Sequence, residues 1–245
     1  MAGRGQRFAV AGYKNPKPLI PVHSQPMIRW VIQNLRPSVP HRFIFVALAE
    51  HVKEFGLPEK LRAWAGEQTV VVPIEGVTEG AACTVLCAKE YIDNGDPMMI
   101  ANSDQFIEYS IDKFLSELRD RDGLIMTMDA NDPKWSYVKK DSRGLVVEVA
   151  EKKVISHDAT VGVYLFARGK DFVSGAGEMI KQDLRVNGEF YVAPVYNMLI
   201  DEGAKIADCS IGSVTQGMHG LGVPEDLEKF IAHQVSHKMS REYAW

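Results

Sequence analysis

Short apolar runs alternate with segments of helical periodicity along most of the chain, and this alternation constrains the fold more than any other feature. Met27 and Val31 share the apolar face of one helical segment, and the next apolar run, 42–47, has the length of a buried strand. A helical segment at 79–91 is likewise followed by an apolar run at 97–101. Strands that alternate with helices predict an α/β fold, in which a mixed, mostly parallel sheet carries helices on both faces.

The predicted sheet points to the loops that follow its strands, because ligands of such sheets bind beyond the carboxyl ends of the strands. Further along the chain, 135–140 and 145–149 have the pattern of a hairpin, and the apolar spacing predicts a helix over 190–200. No low-complexity linker divides the 245 residues. We therefore expect one domain that spans residues 1–245.

Charge and composition exclude several classes of function. The net charge is −4 and the sequence pI is about 6.0, which is not the electrostatic footprint of a protein that binds nucleic acid or anionic lipid. No apolar run approaches the ~20 residues that span a bilayer, and the first residues have no apolar stretch of the signal-peptide type. The three cysteines form no Cys-x-x-Cys pair, which favours reduced thiols. We expect a cytoplasmic protein without nucleic-acid or membrane partners.

The first candidate motif is the segment Gly-Arg-Gly-Gln-Arg at 3–7. Glycines let backbone N–H groups approach phosphate oxygens, and Arg7 adds a forked cationic donor. Lys17 lies between Pro16 and Pro18, which disfavour helix and hold its ammonium on a stiff loop. Each feature alone is compatible with a flexible terminus or a solvated lysine, but their combination favours a phosphate site.

Further motifs follow in one order along nearly the whole chain, at 1–8, 16–22, 25–27, 76–82, 101–104, 151–153, 161–164, 187–190 and 222–226. This series resembles the GT-A-like nucleotidyltransferase family, which includes the sugar-nucleotide pyrophosphorylases. The resemblance implies a single-domain, Rossmann-like fold and transfer of a nucleoside monophosphate from an NTP to a sugar 1-phosphate, with release of pyrophosphate. Short members of this family occur in surface-polysaccharide pathways, and one branch is similar to a CTP-dependent enzyme that acts on phosphoglutamine.

The resemblance also implies roles for individual residues. Arg7, Lys17 and Asp104 would be catalytic, and Asp104 would in addition bind the metal. Further contacts to the nucleotide, besides those of Arg7 and Lys17, would come from Ala2, Gly3, Gly5, Thr78, Glu79, Gly80 and Ser103. Lys152 would contact the phosphate of the acceptor, and the other acceptor-binding residues would be Gly162 and Glu189.

The residue types at these positions suit the implied reaction. A phosphate monoester has a second pKa near ~6, so the acceptor is already largely a dianionic nucleophile at neutral pH and no general base is required. The reaction needs two repelling anions held in line, with their charge neutralised. Mg²⁺ binds a few carboxylates together with phosphate oxygens and water, which a lone Asp104 can satisfy. We therefore expect Mg²⁺ as the cofactor, and an NTP and a small phosphorylated acceptor as the partners.

Two features depart from the family pattern. Many relatives have a second metal-binding carboxylate before the final helix, whereas 218–222 contains no acidic residue. Glu225 and Asp226 follow, at positions where acidic residues stabilise a helix N-terminus. The glycine loop of the family also follows a central strand, and the resemblance therefore implies a first strand upstream of residue 1.

The residues leave the substrates open. Glu79 is a carboxylate that can accept from cytosine N4 or from ring N–H groups of other bases. CTP-dependent transfer to a non-sugar phosphate, such as phosphoglutamine or phosphocholine, is an alternative to transfer to a sugar 1-phosphate. Glu189 suits an acceptor site as well as it suits the N-terminus of the helix predicted at 190–200.

Two alternatives come from other functional classes. A glycosyltransferase with the same fold would usually have an Asp-x-Asp metal motif, of which 102–104 supplies only the last acid. A sensor that binds a sugar nucleotide without catalysis would not need Arg7, Lys17 and Asp104 together. The oligomeric state, monomer or homo-oligomer, is equally open.

Overall fold

Helices and strands alternate along residues 1–243, the part of the chain that the computed structural model describes. The α-helices are α1 Gln6–Val10, α2 Met27–Asn34, α3 Ala49–Phe55, α4 Leu57–Ala65, α5 Ala81–Leu86, α6 Lys89–Ile92, α7 Ile111–Ser116, α8 Gly169–Lys181, α9 Val195–Asp201, α10 Pro224–Ala232 and α11 Gln234–Glu242. The strands are β1 Pro21–Val22, β2 Gln25–Pro26, β3 Ile44–Leu48, β4 Val70–Ile74, β5 Met98–Ala101, β6 Gln105–Ile107, β7 Gly123–Asp129, β8 Ser136–Lys140, β9 Val146–Glu151, β10 Asp158–Phe166, β11 Ile206–Val214 and β12 Gly217–Gly220. In this part of the chain, no helix combines the length and the apolar character that crossing a membrane requires.

The chain folds into two compact units. Unit 1 comprises 1–77, 103–111 and the described residues from Met218 onward, and unit 2 comprises 78–102 and 112–217. The two units carry different groups of the residues that the sequence singles out. Arg7, Lys17 and Asp104 belong to unit 1, and the predicted base-side and acceptor-side residues belong to unit 2.

Unit 1 is organised around the buried indole of Trp30 on α2. Its Nε1–H donates to the carbonyl oxygen of Val22 at 2.8 Å, and its ring packs edge-on against Phe230 of α10, with the ring centroids 5.8 Å apart. Three further buried residues, Phe8, Phe106 and Leu221, join the same cluster. This core therefore fixes α1, β6 and the end of β12 against one helix.

Three strand pairs belong to unit 1. β3 runs parallel to β4, with Ile44 opposite Val70. β1 and β2 form a short antiparallel pair, and β12 is antiparallel to β6, with Gly220 opposite Gln105. The β6–β12 pair holds the residues after Asp104 beside the segment that leads into α10.

Unit 2 is built on the long strand β10, which pairs antiparallel with β5, β7 and β8. β7 runs parallel to β11, and β8 and β9 form the hairpin that the sequence predicts. The stacked rings of Phe166 and Tyr196, 4.4 Å apart between centroids, join β10 to α9. The buried Tyr196 hydroxyl donates to the carbonyl oxygen of Leu165 at 3.0 Å, which satisfies the polar end of this ring.

The structure confirms the α/β class and the mixed sheet. Antiparallel pairs are more frequent than in the predicted, mostly parallel sheet. Four strands, β7 to β10, follow one another without an intervening helix. In this stretch β8 pairs with β9 as a hairpin, and β10 returns antiparallel to β7 and β8. The helix predicted at 190–200 begins only at Val195. The strand expected upstream of residue 1 stays a prediction.

Candidate active site

The glycine-rich segment leads directly into the short helix α1. Gly5 has a left-handed backbone, with φ 60°, and its carbonyl oxygen accepts from the N–H of Phe8 at 3.0 Å. A Cβ at Gly5 would lie 3.2 Å from the Cβ of Lys17, which is a close contact. Glycine is therefore required here by backbone conformation and by the neighbouring lysine. The buried ring of Phe8 anchors this turn in the core of unit 1.

Lys17 is held by a single turn of 3-10 helix, Lys17–Leu19. Pro16 has an extended backbone and accepts from the N–H of Leu19 at 2.8 Å, and Pro18 is buried. The sequence predicted that the two prolines disfavour helix here, but Lys17 begins a turn of 3-10 helix in which Pro18 occupies a first-turn position that tolerates proline. The Lys17 Nζ donates to Asp104 Oδ2 at 2.6 Å, across 87 residues of sequence.

Asp104 lies between the end of β5 and the start of β6. Its carbonyl oxygen accepts from the N–H of Leu221 at 2.8 Å. A Cβ at Gly222 would lie 3.0 Å from Asp104 Oδ2, so the absence of a side chain at Gly222 keeps one side of the carboxylate open. Ser103, which precedes Asp104, is half-buried.

A cavity of ≈ 400 Å³ lies beside this ion pair. Gly5, Arg7 and Lys17, three of the residues that the sequence singles out, all line this cavity. Arg7 is exposed, whereas Ala2 is buried and Gly3 has no atom within 4 Å of its Cβ position. The lining residues are Arg4, Gly5, Gln6, Arg7, Phe8, Lys17, Val77 and Gly222.

Asp104 fits a magnesium ion that shares its coordination with a triphosphate. Its Oδ2 already bonds a cationic group, the Lys17 ammonium, and faces the open position at Gly222. Within residues 1–243 no group of three or more His, Cys, Asp or Glu side chains could enclose a metal ion. A site with one protein carboxylate suits Mg²⁺, which keeps several waters and takes phosphate oxygens as ligands.

The predicted base-side residues form a hydrogen-bonded turn in unit 2. The Thr78 hydroxyl lies 2.6 Å from the Thr84 hydroxyl and donates to the carbonyl oxygen of Gly80 at 2.9 Å. The Glu79 side chain is exposed, and its carbonyl oxygen accepts from the N–H of Phe190 at 2.9 Å. Gly80 has φ 139°, and a Cβ there would lie 2.5 Å from the backbone N of Phe190 and closer still to its carbonyl oxygen.

Residues 190–194 are not helical, because both backbone polar groups of Phe190 are hydrogen-bonded to the base-side turn. Its N–H donates to Glu79, and its carbonyl oxygen accepts from the N–H of Ala82 at 3.0 Å. Glu189 consequently lies in a turn, where it forms an isolated bridge with Val186, six residues before α9 begins. The alternative that Glu189 stabilises the N-terminus of a helix at 190–200 is therefore wrong.

The predicted acceptor-side residues Lys152 and Glu189 meet at a residue that the sequence analysis missed. The Lys152 Nζ donates to the hydroxyl of Tyr191 and lies 4.5 Å from the centre of its ring. This hydrogen bond raises the pKa of the Lys152 ammonium. Burial raises the pKa of the Tyr191 phenol, and the Glu189 carboxylate acts in the same direction. The proximity of Tyr191 to the motif at 187–190 was the only sequence signal that could have suggested it.

Two acceptor-side residues, Lys152 and Gly162, have positive φ angles. Lys152 has φ 53°, a left-handed conformation that is uncommon for residues other than glycine and that concentrates at functional sites. Gly162 is buried in β10 with φ 78°, and its carbonyl oxygen accepts from the N–H of Asn102 at 3.0 Å. The neighbouring Glu151 accepts from the Ser136 hydroxyl, and burial raises the pKa of its carboxyl group.

Three known proteins resemble this chain over most of its length. The bifunctional protein GlmU of Thermotoga maritima is 28% identical over 211 residues, which is 80% of this chain and 42% of that protein. The nucleoside-diphosphate-sugar pyrophosphorylase from Vibrio cholerae RC9 is 25% identical, with a TM-score of 0.83 over 95% of this chain and 98% of the other. The inositol-1-phosphate CTP transferase from T. maritima is 16% identical and has a TM-score of 0.75, over 98% of this chain and 92% of the other.

The family assignment follows from the sequence itself. Residues 1–178 match the family described as nucleotidyl transferase, and this range contains Arg7, Lys17, Asp104 and Lys152. The chain spans 42% of the length of the curated relative GlmU. This chain therefore belongs to the nucleotidyl transferase family.

Proposed function

We propose that this protein transfers a nucleoside monophosphate from an NTP to a small phosphorylated acceptor, a sugar 1-phosphate, and releases pyrophosphate. The observation that carries the proposal is the pair of Lys17 and Asp104, 2.6 Å apart beside a glycine-lined cavity. A fixed ammonium and a carboxylate next to a glycine-rich loop are features that suit a metal-bound triphosphate.

The reaction needs no general base on the protein. An oxygen of the acceptor phosphate attacks the α-phosphorus of the NTP, a new P–O bond forms, and the bond from the α-phosphorus to the bridging oxygen breaks. Pyrophosphate leaves with the electron pair of that bond. Lys17 and Arg7 would bind the triphosphate and stabilise the charge that develops on the leaving group. Bound Mg²⁺ would supply further positive charge to the same phosphate oxygens, with Asp104 as its protein ligand.

We assign the remaining nucleotide contacts to two segments. Ala2, Gly3 and Gly5 would approach the triphosphate with their backbone, as glycine-rich loops do, and Ser103 would lie next to the metal ligand. Thr78, Glu79 and Gly80 would face the base. The hydrogen bonds from this turn to Phe190 support the assignment, since a rigid turn orients an exposed carboxylate better than a free loop does.

On the acceptor side, Lys152 would neutralise the attacking phosphate, with Glu189 binding hydroxyl groups and Gly162 leaving room for the acceptor. The contact from Lys152 to Tyr191 supports this assignment, because the phenol holds the ammonium in place without cancelling its charge.

A second candidate acceptor is a phosphate that carries an amino or ammonium group, such as phosphoglutamine or phosphocholine, with CTP as the donor. One observation favours it: the exposed Glu189 carboxylate lies close enough to Tyr191 to raise the pKa of its phenol. A carboxylate next to an aromatic ring can bind an ammonium group by charge and by cation–π attraction.

A nucleoside-diphosphate sugar is an activated sugar, and we propose that it serves the synthesis of a surface polysaccharide. Because the NTP donor is a cytoplasmic metabolite, we place the reaction in the cytoplasm.

One assay separates these proposals. Pyrophosphate release should be measured with each of the four NTPs and Mg²⁺, against a panel of sugar 1-phosphates, phosphocholine and phosphoglutamine. Turnover that depends on both an NTP and one class of acceptor identifies the substrates. A protein that binds sugar nucleotides but releases no pyrophosphate with any pair would be the non-catalytic sensor, and release of free nucleoside diphosphate from a sugar nucleotide would indicate a glycosyltransferase.

A further inference from the structure

Arg185 makes more polar contacts than any role so far explains. Its Nη1 donates to Glu79 Oε1 at 3.2 Å and to the carbonyl oxygen of Gly188 at 3.3 Å. Its Nε donates to Asp183 Oδ1 at 2.5 Å. The guanidinium carbon also lies 4.2 Å from the centre of the Phe190 ring. One side chain therefore contacts the base-side turn and the acceptor-side turn.

These two turns are already joined by their backbones. The backbone of Phe190 is hydrogen-bonded to the backbones of Glu79 and Ala82. Gly80 can lie this close to the backbone of Phe190 only because it has no side chain. Glu189 and Tyr191 flank Phe190 in sequence, so any shift of Phe190 moves both acceptor-side residues. A displacement of the base-side turn is consequently transmitted to the acceptor side through a single residue.

Arg185 restricts this connection to one arrangement. The guanidinium is planar and offers its donors in a fixed geometry, so it can hold the Glu79 carboxylate, the Gly188 carbonyl and the face of Phe190 only in one relative position. The side chain of Arg185 is 31% exposed and that of Glu79 is 67% exposed, so the restraint comes from the contacts of the guanidinium taken together and not from a shielded ion pair. The backbone bonds alone would leave the Glu79 carboxylate free to rotate.

We propose that Arg185 is a positioning residue that couples the binding of the nucleotide to the binding of the acceptor. The proposal rests on the proposed function, because it takes Glu79 as the base-side residue and Glu189 with Tyr191 as acceptor-side residues. A nucleotide that fixes Glu79 also fixes Arg185, and Arg185 then fixes the turn at 187–191. By linkage, the acceptor must raise the affinity for the nucleotide by the same factor.

The test compares binding by calorimetry in the wild type, Arg185→Ala, Arg185→Lys and the control Arg143→Ala. Arg143 pairs with Asp141 in the exposed turn between β8 and β9 of the same unit. The nucleotide probes are the non-cleavable α,β-methylene analogues of the four NTPs with Mg²⁺. The acceptor probes are glucose 1-phosphate, phosphocholine and phosphoglutamine.

In the wild type and in Arg143→Ala, we expect the nucleotide to lower the dissociation constant of the acceptor by about fivefold or more. In Arg185→Ala, each ligand should still bind alone, but the factor should fall to about one. Arg185→Lys keeps the positive charge but lacks the planar, forked guanidinium. Its coupling factor should therefore lie between those of the wild type and Arg185→Ala. Hydrogen exchange at the N–H groups of Phe190 and Ala82 should be faster in Arg185→Ala than in the wild type. This measurement requires no ligand.

The proposal would be overturned if the wild type binds both probes but the nucleotide does not change the dissociation constant of the acceptor. It would also be overturned if Arg185→Ala keeps the full coupling factor. A wild type that binds no probe would overturn the proposed function itself, and the coupling with it. If Arg185→Ala has a lower melting temperature, Arg185→Lys decides: full coupling in a stable Arg185→Lys protein would show that the guanidinium fork is not needed.

Discussion

The Nζ of Lys17 lies 2.6 Å from Oδ2 of Asp104, although the two residues are 87 positions apart in sequence. Both side chains are about one quarter exposed, at 23% and 24%. The pair therefore holds two charged groups in place without substrate, at a position that solvent still reaches. In the proposed reaction, a triphosphate would replace Asp104 as the partner of Lys17.

The first prediction concerns the charge of Asp104. Asp104→Asn keeps the size of the side chain and an acceptor for Lys17, but it removes the charge that would anchor Mg²⁺ in the proposed reaction. We expect a folded protein that has lost nearly all turnover, measured as pyrophosphate release over a Mg²⁺ titration. Asp120→Asn, which alters an exposed ion pair with Arg121, is the control. Turnover of Asp104→Asn within a few-fold of the control would mean that the metal binds elsewhere.

The second prediction concerns the cationic groups of the cavity. Lys17→Ala and Arg7→Ala should each lower kcat by roughly 10²–10³, the range seen when one preorganised donor is removed from a developing charge. The exposed Lys14→Ala, in the same loop, should turn over normally. Steady-state kinetics with saturating NTP separates binding from catalysis. A raised KM with an unchanged kcat in both variants would limit Lys17 and Arg7 to substrate binding.

A third prediction tests the close approach between Gly80 and Phe190. Gly80→Ala places a Cβ 2.5 Å from the backbone N of Phe190, at φ 139°, and overpacking of this kind typically costs about 1–3 kcal/mol. The melting temperature should fall, and two hydrogen bonds should weaken: the one from the N–H of Phe190 to the carbonyl oxygen of Glu79 and the one from the N–H of Ala82 to the carbonyl oxygen of Phe190. Gly177→Ala is the matched control, because nothing lies within 4 Å of its Cβ position in α8. That variant should gain about 0.5–1 kcal/mol; equal melting temperatures for both variants would contradict the predicted clash.

The strands β3 and β5 and the hairpin could be predicted because each depends on local chemistry. The two strands are short apolar runs, and the hairpin turns at Gly144, which has φ 78°. Local sequence patterns predict such elements correctly where tertiary packing favours the same conformation.

Helix α8 escaped the sequence analysis although it has 13 residues. Its glycines, at Gly169, Gly175 and Gly177, are poor helix formers. Two of them are explained by distant neighbours: a Cβ at Gly169 would collide with the carbonyl oxygen of Ile92, and one at Gly175 would lie 2.6 Å from Leu199. Tertiary packing therefore explains why glycines are tolerated in this helix. The helical spacing of Phe172, Val173, Ala176 and Met179, which are all buried, was the local signal that could have revealed it.

Arg185 and Tyr191 were missed because their contacts are long-range. Arg185 and Glu79 are 106 positions apart, and Lys152 and Tyr191 are 39 positions apart. Each contact exists only because the fold brings two turns together. The motifs single out the segments, but they carry no information on which side chains meet between them.

The fourth prediction concerns the effect of pH on stability through Glu151. Burial raises the pKa of this carboxyl group above its ordinary value of 4.5. The folded protein therefore keeps a proton on Glu151 at pH values where the unfolded chain has lost it. The resulting contribution to the free energy of unfolding is full below pH 4.5 and is lost as the pH rises through the raised pKa.

Glu151→Gln removes this titration. The melting temperature of the variant, relative to the wild type, should rise as the pH increases from 4.5 and then level off. Glu148→Gln, at an exposed position of the same strand β9, should show no such trend. A relative melting temperature that falls with increasing pH would show that ionised Glu151 is the stabilising form.

The last prediction separates the two acceptor-side residues. Lys152 would neutralise a phosphate whatever that phosphate is attached to, so Lys152→Ala should lower activity with every acceptor. Glu189 offers only acceptor oxygens, so its partner must be a hydroxyl or an ammonium group of the acceptor. Glu189→Gln should therefore affect acceptors unequally and should be most harmful for one that carries a positive charge.

Both variants should be titrated with several sugar 1-phosphates, phosphocholine and phosphoglutamine at saturating NTP. With a sugar 1-phosphate, the amide oxygen introduced by Glu189→Gln can still accept a hydrogen bond. The loss in kcat/KM should then be smaller than with an amino-bearing acceptor, because only that acceptor also loses the Coulomb attraction between the carboxylate and an ammonium group. Lys153→Ala, at the exposed neighbouring position, is the control for Lys152. If Glu189→Gln lowers kcat/KM by the same factor for all acceptors, then Glu189 supports the turn and does not contact the acceptor.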